Sequence, residues 1–260
     1  CVPLLEEQLH RNLTTRAFDT HDVAWEEQHD QVSCLHSLKH EGALASLSPD
    51  ACTAVAWNAP GTVVAAAYGK LDRNDWQRCP SMLCTWSLFR RNLDPKKADV
   101  AIELPDCLTC LAFHPEDPSL LAGGSFNGDV LLWRIGEKGD PLLGKSVLTN
   151  YTHHEPVQQL QWTRDPRQSA GAKASGVGGG YVLASVSADG KMLLWSASNQ
   201  LKTPTGGFLI SSALFAATDR DGDGKITQEE VMAAQHAAQT ADLEGGATLS
   251  FNSEDPTSFV

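Results

Sequence analysis

The 260-residue sequence contains no apolar run approaching the ~20 residues of a membrane-spanning helix, so no membrane insertion is expected. It is also short of positive charge. Twenty Lys and Arg stand against 32 Asp and Glu, a formal net charge of −12, which disfavours nucleic acid and favours a partner with a basic surface. Signatures of chemistry are missing as well. The glycines of 176–180 lead into no Gly-Lys-Ser/Thr, so nothing there cradles phosphate, and they are expected to form a mobile loop. His153-His154-Glu155 lacks the His-Glu-x-x-His spacing that puts two imidazoles on one helical face, and reads as a polar connection before a strand at Val157. Cys107 and Cys110 have no second pair to complete four zinc ligands, and strand alternation sends residues three apart to opposite faces. No nucleophile stands with a base partner, so an enzyme is not expected. Seven cysteines, an odd number set mostly in apolar strand patterns, indicate reduced thiols. The sequence begins at Cys1 without an initiator Met or a signal-peptide pattern, and is expected to be an internal stretch of a longer cytosolic protein. The sequons at Asn12 and Asn150 are then chance spellings.

What is present is a repeat. Ser125-Phe-Asn-Gly-Asp-Val-Leu-Leu-Trp133 returns as Ser187-Ala-Asp-Gly-Lys-Met-Leu-Leu-Trp195. Asn127-Gly128 and Asp189-Gly190 suit two-residue hairpin turns whose central positions need positive φ, each followed by an apolar strand ending in Trp. A strand closed by an aromatic precedes each hairpin, ending at Phe113 and at Trp162. Trp57 matches these upstream, with Trp86 as its hairpin Trp. The Trp-to-Trp period is 133 − 86 = 47 and 195 − 133 = 62, near a WD-repeat blade once the polar insertion at 71–80 and the Gly/Ala/Ser tract at 169–180 are removed. Phe251-Asn-Ser-Glu-Asp-Pro256 echoes Phe113-His-Pro-Glu-Asp-Pro118 and starts a further blade. The expected fold is all-β: a partial WD-repeat β-propeller of about three blades plus the start of a fourth. Its order is an N-terminal helical or extended segment (1–30), blades (31–210), a helix-loop-helix insertion (211–238) and the next blade (239–260). Residues 51–200 should form three four-stranded antiparallel blades, with Trp86, Trp133 and Trp195 near the ends of their third strands. Leu4, Leu5, Leu9 and Leu13 recur near helical spacing and predict an amphipathic helix over 3–16. Gln31 to Leu38 is a strand candidate for closing the ring.

The one segment with specific site chemistry runs from Asp219 to Glu230 and has the full pattern of an EF-hand loop. Calcium takes six to eight oxygens, and the loop offers carboxylates from Asp219, Asp221 and Asp223 at positions 1, 3 and 5. Gly224 makes the sharp turn, the Lys225 carbonyl serves at 7, Thr227 stands at 9 and Glu230 closes the shell at 12. The flanks at 214–217 and 231–239 read as helices. Calcium is the cofactor this predicts, although EF-hands usually pair and no second loop is present. An ordered acidic turn is the competing reading. Residues 207–212 compete as well, being able to form the outer strand of the third blade and shorten the first helix.

Five further phrases resemble those of the WD-repeat intermediate chains of cytoplasmic dynein-2, the retrograde motor of intraflagellar transport. They are Ala17-Phe-Asp-Thr-His-Asp-Val-Ala-Trp25, Val32-Ser-Cys-Leu-His36, Ala67-Tyr-Gly-Lys-Leu-Asp-Arg-Asn-Asp-Trp76, Cys110-Leu-Ala-Phe-His-Pro115 and Asp140-Pro-Leu-Leu143. The likeness runs from about residue 5 to 200 and resumes at Gly246. It departs from the generic repeat at Trp86, Trp133 and Trp195, which precede Ser, Arg and Ser instead of Asp. The EF-hand loop falls where this family has none. The resemblance implies a non-catalytic scaffold whose propeller grips the dynein-2 heavy chain. It further implies a second WD-repeat intermediate chain and roadblock-type and other light chains as partners, and a location in cytoplasm and cilium or flagellum. The leucine-bearing helix would then be the end of the light-chain-binding extension, or else a helix packed on the propeller rim. A calcium-responsive WD-repeat adaptor is the alternative function.

Overall fold

The computed structural model describes residues 2–15, 34–41, 52–71, 81–136, 139–165, 177–210, 245–252 and 259–260. The chain divides into two compact units, Cys1–Ser37 and Leu38–Val260. In the first, helix α1 (Val2–Thr14) carries Leu4, Leu5, Leu9 and Leu13, all exposed, and an Arg11–Glu7 pair at helical spacing, 3.1 Å apart.

The second unit holds three four-stranded antiparallel sheets, each laid down in chain order. The first contains β1 (Cys52–Trp57), β2 (Val63–Tyr68), β3 (Ser81–Ser87) and β4 (Val100–Leu104). The second contains β5 (Leu108–Phe113), β6 (Leu120–Ser125), β7 (Val130–Arg134) and β8 (Leu142–Lys145). The third contains β9 (Val157–Arg164), β10 (Tyr181–Ser187), β11 (Lys191–Ser196) and β12 (Pro204–Leu209). Trp86, Trp133 and Trp195 each lie at the penultimate position of the third strand and are at most 1% exposed. The blade pattern predicted by the repeat is therefore present, except that the fourth strand of the third blade lies beyond residue 200, at Pro204–Leu209. Because β12 reaches Leu209, the competition over residues 207–212 resolves in favour of the outer strand as far as that residue.

Apolar side chains on both faces of each sheet make the core continuous across sheets, which is why β6, β7 and β10 read as near-unbroken apolar runs. Ala65, Ala67 and Leu83 of the first sheet meet Leu108, Leu121 and Trp133 of the second. Leu120, Ala122 and Leu132 in turn meet Val157, Trp162, Leu183 and Trp195 of the third. Beyond the third sheet, Phe251 pairs with Phe259 in the same relation as Phe113 with Leu121, as the sequence echo predicts for a further hairpin. Leu249 and Phe251 pack on Ala184, Val186 and Met192.

Each inner strand begins with one extra residue relative to its neighbour: Thr53, Thr109 and Gln158 stand unpaired where the register shifts. Such bulges twist the strand and aim the extra side chain out of the ladder. Thr53 and Thr109 use equivalent hydroxyls, donating to the Ala67 and Gly124 carbonyls at 3.2 and 3.1 Å. Thr109 also reaches the Val157 carbonyl of the next sheet.

Three expectations need correction. The hairpin turns are not two-residue turns with positive φ at both centres: only Gly128 (φ 87°) and Gly190 (φ 74°) have it, and Asn127 and Asp189 do not. The Gly128 and Gly190 amides bond the Ser125 and Ser187 carbonyls at 3.2 Å, a turn closed by a left-handed glycine, which frees the Asn or Asp side chain for other partners. Residues 34–41 form no strand. Instead the Lys39 and Glu41 amides bond the Pro95 and Lys96 carbonyls in the β3–β4 loop, both at 2.8 Å. Finally, residues 177–180 form a tight turn that packs against the second sheet, where a mobile loop was expected. The Tyr181 amide closes it on the Gly178 carbonyl at 2.7 Å, and that carbonyl also bonds the His114 ring.

Candidate binding surface

The predicted calcium ligands Asp219, Asp221, Asp223, Lys225, Thr227 and Glu230 lie outside the described residues, as do most of the 71–80 and 169–180 insertions. Among the described residues no three His, Cys, Asp or Glu side chains gather as a metal site. Cys107 and Cys110 point to opposite sides, as strand alternation predicts. A Cβ on Gly69 would touch the Cys107 sulfur, whereas one on Gly124 would touch the Cys110 sulfur and Val157. Burial pushes the Cys84 and Cys110 thiols up to about 12 and about 11, so these are packing groups and poor nucleophiles.

The sequence reading missed the roles of two histidines. His153 is fully buried at the end of the β8–β9 connection. Its Nδ1 lies 3.2 Å from Asp189 of the hairpin turn, and its Nε2 lies 2.6 Å from the Ser185 hydroxyl, which accepts the Trp195 indole N–H at 2.8 Å. The partners order the relay: indole N–H to Ser185, Ser185 O–H to Nε2, Nδ1–H to carboxylate. Burial alone would raise the Asp189 carboxyl. The His153 ring, the His154 amide and the Lys191 ammonium outweigh it and hold the group well below the usual carboxylate range. A His upstream of a strand and a Ser and Trp across a hairpin are the signal, but none is distinctive until the register brings them together.

His114 ends β5 in an equally occupied state. Its Nδ1 accepts the Glu116 and Asp117 amides at 3.1 and 2.9 Å, so the proton sits on Nε2 and is donated to the Gly178 carbonyl at 3.1 Å. The ring stands edge-on to Trp162 and Tyr181, with centroids 4.7 and 4.9 Å away. Desolvation lowers its pKa below the ordinary histidine value despite the nearby carboxylates. Both ring nitrogens are occupied: Nδ1 holds the β5–β6 turn, and Nε2 joins the second sheet to the turn before β10 of the third.

What remains open is surface. The β1–β2 and β3–β4 loops, with their counterparts in the next sheets, gather at one end of the unit. A cleft of about 520 Å³ separates the first and second sheets there, lined by Pro60, Val63, Arg90, Val100, Pro118 and Ile135. A second, of about 470 Å³, lies between the second and third, beside His114 and Arg134. Shallow clefts between rigid sheets, with loops at their rims, suit binding of other proteins.

Comparison with known proteins agrees with this architecture. Residues 73–173 match the family described as the dynein axonemal intermediate chain 3 WD40 domain. The chain is 41% identical to mouse cytoplasmic dynein 2 intermediate chain 2 over 206 residues, covering 78% of this chain and 36% of that protein. It is 36% identical to the human protein of the same name over 256 residues, covering 97% of this chain and 43% of that one. Dynein axonemal intermediate chain 2 of Xenopus laevis is 29% identical over 111 residues, covering 42% of this chain and 18% of that protein. The chain thus spans roughly two fifths of the length of the dynein-2 relatives it matches. The three sheets are blades of a partial WD-repeat β-propeller, in a chain homologous to dynein intermediate chains.

Proposed function

We propose that this chain is the propeller-bearing part of a non-catalytic intermediate chain of the dynein-2 motor. In this reading it scaffolds heavy and light chains for retrograde intraflagellar transport, in the cytoplasm and the cilium or flagellum. The observation that carries the reading is the likeness to cytoplasmic dynein 2 intermediate chain 2 across 97% of the chain. Its support is a set of blades whose buried histidines are occupied in structure and whose free area is loop and cleft. The partners are the dynein-2 heavy chain, a second WD-repeat intermediate chain, and roadblock-type and other light chains. Helix α1, with its exposed leucines, belongs to the light-chain side of this scheme.

Affinity purification of the full-length protein from ciliated cells tests this. The dynein-2 heavy chain should be recovered. Deleting the blades should release it while light chains stay bound. A preparation with no dynein heavy chain, under mild salt, contradicts the reading.

The EF-hand pattern supports a second reading, a calcium-responsive adaptor. Asp219, Asp221, Asp223, the Lys225 carbonyl, Thr227 and Glu230 are the ligands it would use. Calorimetry should then show calcium binding that Glu230→Gln weakens strongly; an absence of heat in both proteins leaves an acidic turn.

A further inference from the structure

We propose that the cleft between the first and second blades, together with the 88–98 loop on its rim, docks an extended acidic segment of a partner protein that inserts one apolar side chain.

In a chain of net charge −12, Arg90, Arg91, Lys96 and Lys97 crowd into eight positions beside a single carboxylate within them, Asp94. The loop that carries them is held firmly. Leu88 and Leu93 pack on the Tyr68, Met82 and Trp86 cluster. The Leu88 amide bonds the Thr62 carbonyl at 2.9 Å, and Asp99 accepts the Ser87 amide at 2.8 Å. The Ala98 amide donates to the His40 ring at 3.1 Å. Against that fixed backbone, Phe89 is left 78% exposed, a large apolar side chain facing solvent.

Arg90 and Lys96 each have a carboxylate partner, Asp99 at 2.5 Å and Glu41 at 3.3 Å, but their side chains are still 64% and 72% exposed. Arg91 and Lys97 are exposed and have no ion pair among the described residues. Arg90 and its partner Asp99 both line the 520 Å³ cleft, whose apolar walls are Pro60, Val63, Val100, Pro118 and Ile135, while Arg91 and Lys97 in the same loop carry that unpaired positive charge. Apolar walls with a cationic rim fit an apolar anchor flanked by carboxylates: the anchor gains by leaving water, while the charges steer and orient the segment.

The test uses the 260-residue chain and a labelled Glu/Asp-rich peptide with a central Leu, followed by fluorescence anisotropy. Binding is expected at low salt and should fade as salt screens the exposed charges. Arg91→Glu with Lys97→Glu should weaken it by roughly tenfold or more, with the circular dichroism spectrum unchanged. Replacing the peptide Leu by Ser should cost roughly another tenfold without touching the protein fold. No binding at low salt overturns the proposal, and so does binding indifferent to the charge reversal or to the peptide Leu. Phosphatidylserine vesicles are the comparison probe: charge-dependent capture of vesicles with no capture of peptide overturns it in favour of a lipid surface.

Discussion

At the residue scale, Ser185 shows how the buried polar groups specify the blade. It accepts the Trp195 indole N–H and engages His153, so Ser185→Ala orphans two buried groups and should cost about 2–4 kcal/mol in urea unfolding. A loss below about 0.5 kcal/mol would show that the relay does not matter. Blade one supplies the reverse experiment. Ala66 holds the place of Ser185, and among the described residues the buried Trp86 indole nitrogen has no hydrogen-bond partner. Ala66→Ser should therefore stabilise the protein by about 1 kcal/mol; a decrease would mean that the hydroxyl cannot face the indole. His114 makes stability depend on pH. Its pKa is lowered in the fold, so below the ordinary histidine value the unfolded chain takes up a proton that the native ring refuses, and stability falls on acidification. Asn58 fills the equivalent position in blade one, accepting the Thr62 and Val63 amides through its carbonyl oxygen. His114→Asn should thus shrink the loss of stability as the pH falls from about 7 to about 5, the window around and below a free histidine's pKa, and an undiminished loss would refute this role.

At the scale of elements, the strands were legible because their aromatic ends, turn glycines and apolar runs recur in one order. The turn type was not, since a single glycine with positive φ closes the hairpin as well as two such residues do. The 34–41 segment misled for another reason. Gln31 to Leu38 is apolar enough for a ring-closing strand, but its described part, 34–38, joins no β-ladder, and the residues that follow at 39 and 41 find carbonyls in a loop. The binding cleft was not legible at all, because its walls come from four loops far apart in sequence and its cationic rim from one of them. Contacts between blades show the same dependence on tertiary structure. A Cβ on Gly144 of β8 would lie 2.1 Å from the Gln200 carbonyl oxygen, backbone against backbone. Gln200 and Leu201 adopt φ of 55° and 58° there, and the fully buried Leu201 offsets that strain. Gly144→Ala should then destabilise the protein by about 1–3 kcal/mol, because neither side can yield without breaking the Val147 amide bond to the Lys202 carbonyl. Unchanged stability would mean that the β8 contact is slack.

At the scale of the molecule, three blades give a platform whose inner aromatics lean on the preceding blade. Trp162 donates its indole N–H to the Ala112 carbonyl of the second blade, while the equivalent Trp57 of the first is 55% exposed. The blades carry loops and clefts on a fixed frame, which suits holding subunits in register. Central to this account is that the blades, and not only the segments around them, contact the motor. Cross-linking mass spectrometry on the intact dynein-2 complex from ciliated cells tests it most directly. The account predicts cross-links from blade lysines such as Lys70, Lys145 and Lys202 to the heavy chain; a complex whose heavy-chain cross-links all fall outside the blades would contradict it.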